Sequence, residues 1–176
     1  VAMICAAGRF EEVAMTTNAT GLEQNAQSLK DSGLSRLTIS LDSLQAERVK
    51  NISGRDSLKS VLEGLDRAAE VGFTGTKLDT VAMRGVNDDE FCDFIVFGAD
   101  RDIEVRFIEY MDVPGAKEWT PDKVISRVDI LDRQDRDTVE PRAVAHVFVV
   151  QPIVVGRGVG RRPARLDDLA VGKPHG

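Results

Sequence analysis

LTISLDSLQAERVKNISGRDSLKSVLEGLDRAAEVGFTGTKLDTV, residues 37–81, is the stretch whose reading decides the fold. It opens on a short apolar run, Leu37 to Leu41, that turns polar at Asp42 and Ser43. It closes on a second run of the same kind that begins near Thr76. Between them Leu58, Val61, Leu62, Leu65, Ala68 and Ala69 recur at helical spacing. That stripe marks an amphipathic helix, with Asp56 or Ser57 as its cap and Gly72 as its stop. A shorter helix, LQAERVKNI, precedes it, and Asp42 and Ser43 are available to cap it. Strand, helix and strand in this order form a β-α-β unit, which requires a parallel pair and a crossover.

The pattern continues in both directions. EEVAMTTN (Glu11 to Asn18), TKLDTVAMR (Thr76 to Arg84) and EVRFIEYM (Glu104 to Met111) are also apolar runs that end polar or charged. Strands are predicted at about 11–17, 37–42, 76–82 and 104–109, parallel, in chain order, with helices on one face. Leu22, Ala26, Leu29 and Leu34 mark a helix ended by Ser32-Gly33. DDEFCDFIVFGAD reads as another, capped at Asn87-Asp88, with Phe91, Phe94, Ile95 and Gly98 facing inward. Thr120 and Pro121 start a helix running to about 131, and VAMICAAGRF is a helix tail closed by Gly8. In parallel α/β folds the functional side chains sit at the carboxyl ends of the strands. That rule selects Thr16, Thr17, Asn18, Ser40, Asp42, Lys77, Asp79, Arg106, Glu109 and Met111 as one lip of one site.

A chain of 176 residues, 42% hydrophobic and 30% charged, is long enough for one domain with a real core. A net charge of −6 argues against nonspecific nucleic-acid binding. No run is long and apolar enough for a membrane span, and no signal peptide is visible. Cys5 and Cys92 lie far apart without metal-ligand spacing. They read as buried thiols of a reducing cytoplasm, the expected location. Val1 falls inside the helix tail, so the expectation is a fragment whose true start lies upstream. The first unit is expected to span 1–132. Residues 133–176 lose the pattern: they are rich in Val, Arg and Gly, and residues 141–176 carry six basic side chains against two acidic ones. VAHVFVV and PIVV can be two strands paired across Gln151-Pro152. Equally, 133–176 can be a divergent, disordered tail of the kind an out-of-frame reading of a GC-rich gene produces.

TTN, SLDSL, GRD, KLDTVAMRGVNDDE and RFIEYM, in this order and at close spacing, resemble the GTP 3′,8-cyclases of molybdenum cofactor biosynthesis, which are radical S-adenosylmethionine (SAM) enzymes. The resemblance covers about Glu11 to Ile130. It rests chiefly on MRGVNDDE followed by RFIEYM, because SLD alone is weak. It implies a partial TIM-type radical SAM barrel, with this chain holding strands three to six of the family barrel. It implies conversion of GTP to (8S)-3′,8-cyclo-7,8-dihydroguanosine 5′-triphosphate by a SAM-derived radical. SAM and [4Fe–4S] clusters are the family's cofactors, GTP is its partner, and a homodimer is its assembly. The family's Cys-x3-Cys-x2-Cys and Gly-Gly-Glu-Pro motifs would precede Val1, and its second cysteine triad would follow the barrel. Cluster ligands are therefore absent from this chain, no residue is assigned to a metal, and the chain alone is expected to be inactive.

By the same resemblance, Thr16 and Lys77 contact GTP and Ser40 contacts SAM. Met111 meets the SAM adenine through its backbone, and Asn18 and Arg106 are additional candidates. Read from the residues alone, each has a plainer meaning. Thr16 is a β-branched strand residue, Ser40 caps a turn, and Met111 fills core. Lys77 is an edge-strand lysine or pairs with Asp79, and Arg106 pairs with Glu104 or Asp42. Two departures stand out: Ala19 where the family has glycine, and Asp79 where it has asparagine. The acidic runs, NDDE at 87–90 among them, read as solvated faces and helix starts. Two competing functions remain. Lys77 can serve a Schiff-base lyase of the aldolase-like barrel class, or the chain can be a non-enzymatic truncated product.

Overall fold

A computed structural model describes residues 1–112, 119–130 and 147–150. Helix α1, Ala2–Ala6, leads into strand β1, Ala14–Thr17, and helix α2, Leu22–Asp31. Strand β2, Arg36–Ser40, is followed by helices α3, Ala46–Ser53, and α4, Leu58–Glu70. Strand β3, Lys77–Ala82, helix α5, Phe91–Arg101, strand β4, Glu104–Glu109, and strand β5, Val147–Val150, complete the order. The strands form one sheet, β1-β2-β3-β4-β5, in which every neighbouring pair is parallel. The predicted α/β class, a partial barrel sheet with flanking helices, is the fold observed.

Alternation along the strands builds the core. Leu37, Ile39, Leu78, Val105 and Phe107 are buried on the face that meets the helices. Helix α5 presents Phe91, Phe94, Ile95 and Gly98 to that face, the four expected from its spacing. Phe107 packs against Phe91 with ring centroids 4.7 Å apart and meets Phe94 edge-on at 6.3 Å. Gly98 permits this fit. A Cβ there would enter the Val105 side chain and stand 2.9 Å from the Ile103 carbonyl. Helix α4 buries Val61, Leu65 and Ala68 and stops at Gly72, whose φ of +85° suits glycine. The next residue, Phe73, turns back and donates its N–H to the Ala68 carbonyl at 3.0 Å.

Several expectations need correction. Strand β1 is shorter than predicted and begins at Ala14. The helix expected from Pro121 is split: a single 3₁₀ turn, Pro121–Lys123, gives way to an antiparallel bridge between Val124 and Met83, and helix resumes only at Arg127. Helix α3 is entered from Gln45, not from Asp42 or Ser43, because both of those side chains are engaged elsewhere. Helix α5 is entered from Glu90, not from the predicted cap at Asn87-Asp88. Strand β5 lies beyond residue 132, the expected end of the first unit, and extends the sheet by pairing with β4. The proposed pairing across Gln151-Pro152 lies outside the described residues. No disulfide joins Cys5 and Cys92, and both are half-buried rather than buried as expected. Among the described residues no helix is long and apolar enough to cross a membrane.

Candidate functional site

The sheet face turned away from the helices carries the polar positions of β1, β2, β3 and β4. Register aligns them in rows. Thr16, Thr38, Lys77 and Glu104 are level across β1, β2, β3 and β4. Two residues nearer the carboxyl ends, Ser40, Asp79 and Arg106 form the next row. Residues two apart on a strand share a face, so both rows look the same way. Thr16 and Lys77 stand two strands apart, on the order of 10 Å.

Four charged groups occupy the centre of this face. The Lys77 ammonium lies 3.0 Å from a Glu104 carboxylate oxygen. Arg106 donates from Nε to Asp79 Oδ1 at 2.7 Å and from Nη2 to Oδ2 at 3.0 Å. Glu104 also lies 4.0 Å from Arg106 Nε, so it touches both cations. All four side chains are mostly shielded, with 16–27% of their surface exposed. The partner of Asp79 is therefore Arg106 on the next strand, not Lys77 on its own. Glu104 is a member of the cluster that the sequence reading placed only as a possible partner of Arg106.

Beside this cluster, at the carboxyl ends of β1 and β2, lies a cleft of about 370 Å³. Asn18, Ser40, Asp42 and Arg55 supply its polar rim, while Leu41, Val49, Ile52 and Val61 supply apolar wall. Asn18 Oδ1 accepts from the Thr20 N–H at 3.3 Å and from its hydroxyl at 3.0 Å, which fixes the β1–α2 turn. Ala19, in that turn, has φ +59° and is fully buried, so it bears the backbone strain that glycine would relieve. Burial pushes the Asp42 carboxyl above its usual range, partly offset by the Val81 N–H that it accepts at 2.8 Å.

A buried polar network fixes the rim. Glu90 is 1% exposed and accepts from the Ser43 hydroxyl at 2.8 Å, from the Leu44 N–H at 2.6 Å and from Arg48. Asn87, fully buried, donates to the Asp42 and Val81 carbonyls at 2.7 and 2.8 Å and accepts from the Met83 N–H at 2.8 Å. The Thr80 hydroxyl donates to the Leu41 carbonyl at 2.8 Å. The bonds of Glu90 to Ser43 and Leu44, and of Asn87 to Asp42, tie SLDSL to MRGVNDDE across more than forty residues. The reading of NDDE as a solvated face therefore fails for Asn87 and Glu90. A turn joins the two, the Glu90 N–H donating to the Asn87 carbonyl at 3.1 Å, and Phe91 opens α5 immediately after.

The expected strand-end positions hold for some residues only. Thr16 is next to last in β1, Ser40 ends β2, and Asn18 and Met111 lie just past β1 and β4. Lys77, by contrast, opens β3, and Asp79 and Arg106 are third in six-residue strands. Parallel stagger brings them level with Thr16 and Ser40 all the same. Thr17 alternates to the other face, where its Oγ1 accepts from the Ala19 N–H at 3.1 Å, and Glu109 has the opposite parity to Arg106. The structure thus gathers Thr16, Lys77, Ser40 and Arg106 on one face, places Asn18 with Ser40 in the cleft, and leaves Met111 beyond the end of β4.

Comparison with known proteins gives this face a context. A GTP 3′,8-cyclase 3 from Mycobacterium bovis is 49% identical over 122 residues, 69% of this chain and 32% of that protein. A GTP 3′,8-cyclase 1 from Mycobacterium tuberculosis is 46% identical over 127 residues, 72% of this chain and 35% of its own length. The chain spans about a third of the length of the curated relatives it matches. Among solved structures, TYW1 with a lysine-pyruvate adduct bound aligns over 76% of this chain and 42% of its own, with a TM-score of 0.55 at 22% identity. A radical SAM methyltransferase from Sphaerobacter thermophilus aligns over 79% of this chain and 39% of its own, with a TM-score of 0.58 at 14% identity. At those identities the two structures speak for the fold alone. Residues 1–98 match the family model described as the radical SAM superfamily. With more than half its length matched, this chain belongs to the radical SAM superfamily.

Proposed function

We propose that this chain is the substrate-holding part of a GTP 3′,8-cyclase of molybdenum cofactor biosynthesis, whose whole enzyme forms (8S)-3′,8-cyclo-7,8-dihydroguanosine 5′-triphosphate from GTP. The observation that carries the reading is the placement of two cations, Lys77 and Arg106, on one sheet face with the hydroxyls of Thr16 and Ser40. A nucleoside triphosphate needs cations for its phosphates and hydroxyl partners for its ribose. Lys77 and Thr16 take GTP, with Arg106 as an additional phosphate partner.

SAM fits the adjacent cleft. Its apolar wall and few convergent polar groups are what a nucleoside requires, and Ser40 and Asn18 stand at its edge. Met111 lies past β4 to meet the adenine. When bound, SAM supplies the radical chemistry. The residues here orient the two nucleotides and shield the reacting ribose. The cluster does not fit this chain's own donors. Its two cysteines are on α1 and α5. Cys5 lies against Gly33, before β2, whereas Cys92 follows β3, so they sit at opposite ends of the sheet.

A Schiff-base role for Lys77 requires a free amine, and the Glu104 ion pair engages the ammonium instead. Isothermal titration of GTP tests the preferred reading. Lys77→Ala is expected to weaken GTP binding at least about tenfold, roughly 1.4 kcal/mol. Unchanged affinity would remove Lys77 from the site.

A further inference from the structure

We infer that Asp79 is a specificity-determining residue: a built-in anion that occupies the phosphate-binding edge of Arg106 and sets how strongly the site favours highly charged nucleotides. This rests on the GTP reading above and adds a residue to it. The geometry is specific. Asp79 takes both Nε and Nη2 of Arg106, at 2.7 and 3.0 Å. Those two donors form the edge with which a guanidinium grips a phosphate bidentately. A phosphate can reach that edge only by displacing the carboxylate. Asp79 therefore competes with the ligand, and it also holds Arg106 in place while the site is empty.

The second carboxylate strengthens the effect. Glu104 pairs with Lys77 at 3.0 Å and lies 4.0 Å from Arg106 Nε. Two cations are thus matched by two carboxylates, and the centre of the face carries no net charge. An incoming polyanion must overcome both. Neutralising one carboxylate leaves the face with a net positive charge. The gain for a ligand then grows with the negative charge it brings. Asparagine at 79 keeps an oxygen that can accept from Arg106 but removes the charge.

The test is titration of the 176-residue chain with GTP and with GMP, for wild type, Asp79→Asn and Asp79→Glu. Asp79→Asn is expected to tighten GTP binding about tenfold and GMP binding less. Added salt should shrink the gain, as screening requires. Asp79→Glu keeps the charge and should leave GTP affinity close to wild type. Should Asp79→Asn fail to fold, Glu104→Gln removes the other carboxylate and is expected to tighten GTP in the same direction. If wild type binds GTP but neutralising either carboxylate leaves affinity unchanged or lowers it, the inference is overturned and the GTP reading survives. Tightening in Asp79→Glu would also overturn it, since geometry and not charge would then be responsible. If none of these proteins binds GTP, the functional reading itself falls, and the inference with it.

Discussion

Glu90→Ala is expected to destabilise the protein by about 3–5 kcal/mol, the range for breaking a buried, paired charge network. The carboxylate is 1% exposed and is the shared acceptor for Ser43, Leu44 and Arg48. Alanine leaves the Leu44 N–H without that acceptor and the Ser43 hydroxyl with only the Gln45 carbonyl, at 3.4 Å. Arg48 retains Asp89, which it contacts at 2.8 and 3.1 Å, but on the exposed side only. Each orphaned buried group adds about 1–3 kcal/mol. Glu90→Gln keeps an acceptor and should lose clearly less. Urea unfolding decides the matter: the midpoint should fall with the slope unchanged. A loss below about 1 kcal/mol for the alanine variant would mean that the network is not what holds the rim. The link to function is direct, since Glu90 and Asn87 fix the segment that carries Ser40 and Asp42.

Reconstitution of the chain with iron and sulfide is expected to yield no stable four-iron cluster. Such clusters are held by thiolates. Cys5 and Cys92 are the only two cysteines in the sequence, and they occupy opposite ends of the sheet. They cannot supply three thiolates to one cluster. Electron paramagnetic resonance after reduction, with a parallel assay for reductive SAM cleavage, reads the outcome. A stoichiometric cluster signal accompanied by cleavage would contradict the donor-set argument.

Much of the fold was legible because its signals are local. The polar ends of the strands and the helical stripes fixed β2, β3 and β4 within a residue or two, and the four inward positions of α5 followed from spacing alone. The site was legible only in part. Alternation sets Lys77 with Asp79 on one strand and Glu104 with Arg106 on another. It could not supply the register between strands, which is set by stagger and packing. Hence Asp79 was paired with Lys77, two positions away on its own strand, when its partner is Arg106, opposite on β4. The same limit hid Glu90. Its partners Ser43 and Leu44 are more than forty residues distant, and nothing near NDDE announces them. Strand β5 was one of two open readings, because a short valine-rich run carries no period that separates a sheet strand from an irregular tail.

GTP is proposed to lie on the sheet face opposite the helices. The most direct measurement follows backbone amide resonances of the isotope-labelled chain during titration with GTP. Shifts are expected at Thr16, Thr38, Lys77, Asp79 and Arg106, with the helix-facing positions of α4 and α5 unchanged. Shifts confined to the helix layer, or none at saturating GTP, would contradict it.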